Sequence, residues 1–231
     1  MMNPVAVVSG AASGIGARIA SELTAHGWQV VSFDLRAAEG VARSFVTDVS
    51  DAAVISAAVA AVEAQMGPIT AVVANAGYYE EKRFTEIAPG SWQRMMRVHI
   101  GGVFNLMRAT LPAMAARGEG AFVGIASERA LAGAGHDAHY AAAKGAVLGL
   151  LRSAAAEYAH AGVRINAVAP GPTDTPLLPA DSWERQADFL ARLPIPRIAN
   201  TDEIALAVRE LLMTPHFLHG EIFSINSGTV I

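Results

Sequence analysis

Tyr140 and Lys144 are the two residues whose spacing most directly suggests chemistry. They are four positions apart near the beginning of a predicted helix over 138–161, so both side chains lie on one helix face. A phenol with a pKa of about 10 is a poor base at neutral pH, and a neighbouring ammonium lowers that pKa by stabilising phenolate. Ser127 follows a predicted strand thirteen residues before Tyr140, where its hydroxyl could hold a substrate oxygen. The three side chains together are suited to proton transfer at an oxygen atom, although a Tyr–Lys pair alone also arises by chance.

A glycine-rich segment follows the first predicted strand and opens the first predicted helix. Its glycines let the backbone turn tightly and approach a pyrophosphate, and the helix N-terminus offers free N–H groups and a positive dipole end. A plain structural turn is the alternative interpretation, but the position between strand and helix favours nucleotide binding. The candidate contacts are Gly10, Ser13, Gly14, Ile15 and Gly16.

Asp34 ends the second predicted strand, 18 residues beyond Gly16. A carboxylate there can accept hydrogen bonds from the adenosine ribose hydroxyls and repel a 2′-phosphate, which predicts NAD as the cofactor. A solvated acid at a strand end is the alternative. Arg36 lies close enough to bind that phosphate instead.

Two further strand ends supply candidate cofactor contacts. Asp48 and Val49 follow the third predicted strand and could contact the edge of the adenine. Asn75, Ala76 and Gly77 end the fourth, where small residues let the chain pass beside a cofactor. Ligands bind at this carboxyl edge of a doubly wound sheet.

The elements that position these residues are predicted from short apolar runs that alternate with Ala-rich segments of helical period. Seven apolar strands separated by helices imply a parallel sheet covered on both faces, an α/β doubly wound Rossmann fold. We expect a single domain over 1–231. The strands are predicted over 5–8, 28–34, a short run before Asp48, 69–74, 121–126, 163–169 and 221–225, and the main helices over 14–26, 52–66, 91–116, 138–161 and 202–213.

The composition restricts the possible functions. With 52% hydrophobic and 16% charged residues, the chain should fold around a large core. Seventeen Lys and Arg against 21 Asp and Glu give a net charge of −4, which argues against nucleic acid or an anionic membrane as partner. The chain has no cysteine, which excludes disulfides and a thiolate nucleophile. No signal peptide or membrane-length apolar run is present, so we expect a cytoplasmic protein.

In its combination of motifs, the sequence resembles the short-chain dehydrogenase/reductase family in its compact single-domain form. The resemblance spans nearly the whole chain and implies an NAD-dependent oxidoreductase that interconverts a secondary alcohol and a ketone by hydride transfer. The motifs are the Gly10/Gly14/Gly16 turn, Asp48, Asn75-Ala76-Gly77, Ser127, Tyr140-x-x-x-Lys144 and Asn166-Ala167-Val168-Ala169-Pro170-Gly171.

The same resemblance implies a role for each site residue. Tyr140 would be the general acid/base, Ser127 would orient the substrate oxygen, and Lys144 would bind the nicotinamide ribose while lowering the pKa of Tyr140. A mobile helix over 181–193 would cover the substrate, and the helices over 91–116 and 138–161 would build a homotetramer. The residues that would border the nicotinamide carboxamide are Pro170, Gly171, Thr173 and Thr175.

Two features depart from the family pattern. His99 stands where the family carries an asparagine that is thought to hold a water linking the lysine to solvent. The histidine could take over that relay, displace the water and slow the enzyme, or pack as a neutral core residue; we expect the relay, with His99 kept neutral by Lys144. Only 13 residues separate Asp34 and Asp48, so the usual helix there should be shortened or missing.

Other interpretations remain open from sequence alone. His136 and His139 flank Asp137, but no third ligand falls at a supporting spacing, so we expect no metal. Glu128 could face the pocket and bind a substrate hydroxyl or amine, or serve a structural role. The main alternative function is a non-catalytic dinucleotide-binding sensor or scaffold; an isomerase or dehydratase on the same scaffold is a third.

Overall fold

The computed structural model describes residues 3–213 and 218–231, and a seven-stranded parallel sheet forms the centre of this part of the chain. The spatial order of the strands is β3-β2-β1-β4-β5-β6-β7. The strands are β1 (Val5–Ser9), β2 (Gln29–Asp34), β3 (Arg43–Val46), β4 (Ile69–Ala74), β5 (Gly120–Ile125), β6 (Val163–Pro170) and β7 (Ile222–Ile225). The α-helices are α1 (Gly14–Ala25), α2 (Ala52–Met66), α3 (Pro89–Met96), α4 (Gly102–Arg117), α5 (Arg129–Ala132), α6 (Ala138–Tyr158), α7 (Ala187–Leu190) and α8 (Thr201–Met213).

Two apolar layers cover the sheet because successive strand side chains point to opposite faces. On β1, Val5 and Val7 belong to the core layer that packs under α2, α4 and α6, whereas Ala6 and Val8 belong to the layer under α1 and α8. Strands buried on both faces read as continuous apolar runs, which is why the sequence predicted them. The doubly wound Rossmann fold is confirmed. The strand order reverses between β1 and β4, and such a switch point opens a crevice at the carboxyl edge.

The predicted single helix over 91–116 is wrong in one respect. The structure has α3, then a π-helical turn over Arg97–Gly101, then α4. A π turn adds a residue to the helical repeat and so redirects the side chains within it. Here His99 is turned inward and is 1% exposed. Gly102 begins α4 directly against Val49, where a Cβ would come within 2.7 Å of Val49 Cγ2.

The covering segment over 181–193 also differs from its prediction. In place of one helix it forms a 3₁₀ turn over Trp183–Arg185 and the short helix α7. Gln186 between them is extended, with a ψ of 145°, which interrupts helical hydrogen bonding. Arg185 anchors the segment by donating from Nη2 to Asp174 over 2.6 Å. By contrast, the expected loss of a helix between Asp34 and Asp48 is confirmed, since residues 35–42 form turns and bends.

Residues 3–213 and 218–231 contain neither a membrane-spanning helix nor a metal-binding cluster. No helix in these ranges is long and apolar enough to cross a membrane. The same ranges contain no group of three His, Asp or Glu side chains that could hold a metal ion. His139, one of the two histidines considered above, instead lies with Nε2 3.1 Å from Glu80.

Candidate active site

A cavity of about 550 Å³ runs along the carboxyl edge of the sheet. One end lies at Asp34 and Arg36, and the other lies at Ser127 and Tyr140. The cavity therefore joins the predicted nucleotide end to the predicted reactive end. The predicted site residues that line it are Gly10, Ser13, Gly14, Ile15, Asp34, Asn75, Ala76, Gly77, His99, Ser127, Tyr140, Lys144, Pro170, Gly171, Thr173 and Thr175.

The glycine-rich turn has the geometry that a dinucleotide pyrophosphate requires. Gly10 and Gly14 adopt positive φ angles of 69° and 56°. A Cβ at Gly16 would overlap the carbonyl oxygen of Gly10, so this glycine allows close packing of helix and strand. Asn75 Nδ2 donates to the carbonyl oxygens of Ser9 and Gly10, 3.1 Å from each, and fastens the turn to β4. The first N–H groups of α1 have no acceptor within the helix and are available to an anion, so the residues fit a nucleotide.

The adenosine end of the cavity carries an acid and a base side by side. Asp34 accepts from the backbone N–H of Ala12 at 3.0 Å and of Arg36 at 3.1 Å. Arg36 Nη2 in turn lies 3.4 Å from Ser13 Oγ. The carboxylate is thus fixed at the position from which it can accept from ribose hydroxyls, while the guanidinium lies within reach of the same sugar.

Three predicted cofactor residues lie outside the described cavity lining, namely Gly16, Asp48 and Val49. The exposed Asp48 accepts from the N–H of Ser50 at 2.8 Å, and this bond is the main reason that its pKa is lowered. Val49 is 6% exposed and packs on Gly102, while its carbonyl oxygen accepts from Asn105 at 2.9 Å. Val49 thus fixes the loop after β3 to α4 through its side chain and its carbonyl oxygen, while Asp48 bonds within the loop; strand ends alone do not predict this tertiary contact.

Ser127, Tyr140 and Lys144 meet at the reactive end as predicted. Ser127 and Tyr140 line the same end of the cavity, and Ser127 lies close enough to Tyr140 to act on its pKa. Lys144 Nζ lies 5.8 Å from the centre of the Tyr140 ring and donates to the carbonyl oxygen of Ile125 at 2.7 Å.

The expected lowering of the Tyr140 pKa is wrong for this structure. Burial raises the pKa of Tyr140 to about 12 and outweighs the opposing hydrogen bond from Ser127. Burial also lowers the pKa of Lys144 to about 8, because a desolvated ammonium is unfavourable. The phenol is therefore protonated throughout the neutral range.

His99 lies between two tyrosine rings at the reactive end. Its ring centre is 5.5 Å from those of Tyr78 and Tyr140, and it packs so closely that a Cβ at Gly77 would come within 2.9 Å of Nδ1. The shorter of its two backbone contacts, 2.9 Å from Nε2 to the Tyr78 carbonyl oxygen, makes Nε2 the protonated nitrogen. Among the described residues, Nδ1 has no hydrogen-bond partner.

The expected neutrality of His99 is confirmed. Burial, followed by the nearby charge of Lys144, lowers the pKa of His99 to about 3. The imidazole is neutral at working pH and presents Nδ1 as a fixed acceptor, while Nε2–H stays bound to Tyr78. A relay through His99 therefore requires a water or hydroxyl that donates to Nδ1.

A substitution series at His99 tests its predicted place in the relay. We expect His99→Leu to lower kcat about tenfold, the equivalent of one lost hydrogen bond, with little change in NADH affinity. His99→Asn should retain most activity, because an amide again offers an acceptor. Steady-state kinetics over pH 6–9 would measure both, and wild type should show no inflection from His99 in that range. A His99→Leu variant as fast as wild type at every pH would contradict the relay.

An ion cluster beside the reactive end went unnoticed in the sequence. Arg129 Nη2 contacts Glu184 at 2.7 Å, and its Nε lies 3.5 Å from Asp137 and 3.9 Å from Glu128. Burial raises the pKa of Glu128 to about 7, and the hydroxyl of Thr229 hydrogen-bonds its carboxyl group. Glu128, which directly follows Ser127, was considered for the pocket from the sequence, but its neighbours Arg129 and Glu184 were not.

Comparison with known proteins gives matches over nearly the full chain. Residues 10–229 match the family described as enoyl-(acyl carrier protein) reductase. The chain is 39% identical to cis-4-hydroxycyclohexanecarboxylate dehydrogenase of Sinomonas cyclohexanicum, over 97% of this chain and 95% of that protein. It is 36% identical to 2-(S)-hydroxypropyl-CoM dehydrogenase 3 of Xanthobacter autotrophicus, over 99% and 97%. The crystal structure of 3-ketoacyl-(acyl-carrier-protein) reductase from Brucella melitensis complexed with NADH has a TM-score of 0.91 at 27% identity, covering 100% of this chain and 99% of that one.

Proposed function

Since the chain belongs to the short-chain dehydrogenase/reductase family and is an oxidoreductase that uses a nicotinamide dinucleotide, we propose that it interconverts a secondary alcohol and a ketone with NAD(H). The observation that carries the proposal is one cavity that joins the glycine-rich turn to Ser127, Tyr140 and Lys144. Two relatives, a cis-4-hydroxycyclohexanecarboxylate dehydrogenase and a 2-(S)-hydroxypropyl-CoM dehydrogenase, have names that specify a secondary alcohol, which supports this substrate class.

The side chains at the reactive end divide the proton chemistry among them. A bound nicotinamide ring would supply the hydride chemistry. Ser127 Oγ holds the substrate oxygen beside the Tyr140 hydroxyl, which donates a proton when a ketone is reduced and accepts one when an alcohol is oxidised. Lys144 binds the ribose and, as an ammonium, stabilises the phenolate as it forms. His99 Nδ1 accepts from the water through which the proton reaches solvent.

The residues at the other end would hold the cofactor. The N–H groups at the start of α1 would hold the pyrophosphate, and Asp34 would accept hydrogen bonds from the adenosine ribose. Pro170, Gly171, Thr173 and Thr175 border the cavity near the reactive end, where a carboxamide would lie. Thr173 Oγ1 already donates to the carbonyl oxygen of Gly171 at 2.8 Å, which stiffens this wall.

Cofactor choice should follow the charge at Asp34. We expect NAD to be preferred over NADP by at least about tenfold in kcat/KM, because an unpaired 2′-phosphate facing the Asp34 carboxylate should cost more than about 1.4 kcal/mol. Asp34→Asn should lower the ratio of kcat/KM with NAD to kcat/KM with NADP, whereas Arg36→Ala should raise it. Initial rates with both cofactors measure the effect, and equal kcat/KM in wild type would assign the position to Arg36 instead.

Turnover itself separates this proposal from a non-catalytic sensor or scaffold. A panel of cyclic, acyclic and sugar alcohols is incubated with NAD, and NADH is followed by absorbance. We expect at least one secondary alcohol to be oxidised and the corresponding ketone to be reduced. Tight NADH binding without turnover of any panel member would favour the sensor, and retained cofactor without net NADH release would favour an isomerase or dehydratase.

We also propose a homotetramer, with contacts through α4 and α6. Gly145 and Gly149 on α6 face open space in the described chain, and Phe104 on α4 is 47% exposed. Small residues allow two helices to approach closely, and a symmetric oligomer would cover the exposed ring. Light scattering at micromolar concentration should give four times the monomer mass. A monomeric mass would contradict the proposal.

A further inference from the structure

The wall of the cavity that faces the substrate carries more carboxyl groups than cations. Glu128, Arg129 and Glu184 line the cavity next to Ser127. Asp137 lies behind them, 0% exposed, with Oδ2 3.5 Å from Arg129 Nε. Three carboxyl groups thus surround one guanidinium, and we call these four residues the acidic wall.

Arg129 is already engaged within the acidic wall. Its Nη2 contacts Glu184 at 2.7 Å, and its guanidinium carbon lies 5.9 Å from the centre of the Trp183 ring. A substrate anion at Arg129 would compete with Glu184 for the guanidinium and would lie beside Glu128. The two other cations in the described lining do not face this wall, since Arg36 lies at the adenosine end and Lys144 donates to Ile125.

The acidic wall also has more hydrogen-bond acceptors than donors. Asp137 Oδ1 is buried and has no partner among the described residues. Tyr79 donates to the other oxygen of Asp137 at 3.3 Å, and Thr229 contacts one oxygen of Glu128. Among the described residues, the second oxygen of Glu128 has only the 3.9 Å contact with Arg129. Glu128 lines the cavity and Asp137 lies behind it, so a ligand that brings a donor would meet the wall at the carboxyl group of Glu128.

From this geometry, and resting on the proposed oxidoreductase function, we infer that the acidic wall selects alcohols that carry an additional hydroxyl or ammonium group and rejects alcohols that carry a carboxylate. The selection acts in two ways. Glu128 and Glu184, which both line the cavity, repel a negative group at short range, and the less engaged oxygen of Glu128 accepts from an incoming donor.

The test compares three cyclohexanols that differ in one substituent: 4-(hydroxymethyl)cyclohexanol, 4-aminocyclohexanol and 4-hydroxycyclohexanecarboxylate. At pH 8, which lies above the raised pKa of about 7 of Glu128, we expect the neutral and cationic alcohols to exceed the carboxylate at least about tenfold in kcat/KM. Glu184→Gln should reduce that ratio several-fold by removing one negative charge. Glu119→Gln, an exposed site on the turn before β5, makes the same charge change and should leave the ratio unaltered.

Dissociation constants for the three compounds on the NADH-bound protein separate failure of this inference from failure of the proposed function. If no compound is oxidised, the proposed function fails for this series, and tighter binding of the diol and amine than of the carboxylate would still support the inference. A preference for the carboxylate, in turnover or in binding, that disappears in Arg129→Met would overturn the inference, because Arg129 would then leave Glu184 to bind the substrate. Equal values for all three compounds would also overturn it.

Discussion

Tyr140→Phe is expected to lower kcat by about 10³-fold or more while the dissociation constant of NADH stays within about threefold of wild type. The substitution removes one hydroxyl at the reactive end, where Tyr140 lines the cavity with Ser127, and leaves the ring in place. That ring packs edge-on against Tyr79 and His99, with centres 5.1 and 5.5 Å away, so the cavity should keep its shape. Steady-state rates and a fluorescence titration with NADH would measure the two quantities.

Tyr158→Phe provides a matched control for this prediction. It makes the same chemical change in the same helix, α6, at a position outside the described cavity lining. Its activity should equal that of wild type. If Tyr140→Phe kept more than about a tenth of wild-type turnover, the hydroxyl would not be the acid/base, since such a group contributes at least about 100-fold.

Lys144→Met should lower both turnover and NADH affinity and yet stabilise the cofactor-free fold. Lys144 is 5% exposed, and burial lowers its pKa from 10.5 to about 8. At about 1.4 kcal/mol per pKa unit, this shift corresponds to about 3 kcal/mol of destabilisation while the lysine is charged in both states. A methionine removes that cost but leaves the carbonyl of Ile125 without its donor, so we expect a net gain of about 2 kcal/mol.

The sign of this effect can be checked through its pH dependence. The pKa of Lys144 is lower in the folded state than in the unfolded state, so the unfolded state binds more protons between about pH 8 and pH 10.5. The free energy of unfolding of the wild type therefore rises relative to that of the variant as the pH increases through that window. The advantage of Lys144→Met should be full at pH 7 and largely absent at pH 10. Urea unfolding of both proteins at the two pH values measures it. A variant that is less stable than wild type at pH 7 would contradict the burial argument.

Local sequence patterns were sufficient to predict the fold and the backbone of the site. An apolar run such as 5–8 predicts a strand because a strand buried on both faces needs apolar side chains at every position. The glycines of the first turn are required by positive φ angles and close approach, and both requirements concern a few consecutive residues. Tyr140 and Lys144 share a helix face because of the 3.6-residue repeat. These features depend on neighbours in sequence and could therefore be predicted from it.

Features that depend on contacts between distant segments were predicted poorly. Arg129 and Glu184 are 55 residues apart, and no short-range pattern links a helix start to a covering segment. The π turn at His99 breaks the helical repeat on which the prediction over 91–116 depended. Asp48 and Val49 follow a strand as expected, but α4 packs against the loop that holds them and they lie outside the described cavity lining.

The sequence by itself determined which chemical groups this protein has and which strand ends carry them. The tertiary structure decided their protonation and their partners. Tyr140 has a raised pKa and Lys144 a lowered one because packed elements remove water from both, and desolvation depends on every atom around a group and not on its spacing from another residue. The same holds for the acidic wall, whose charge balance exists only because the covering segment brings Glu184 onto Arg129.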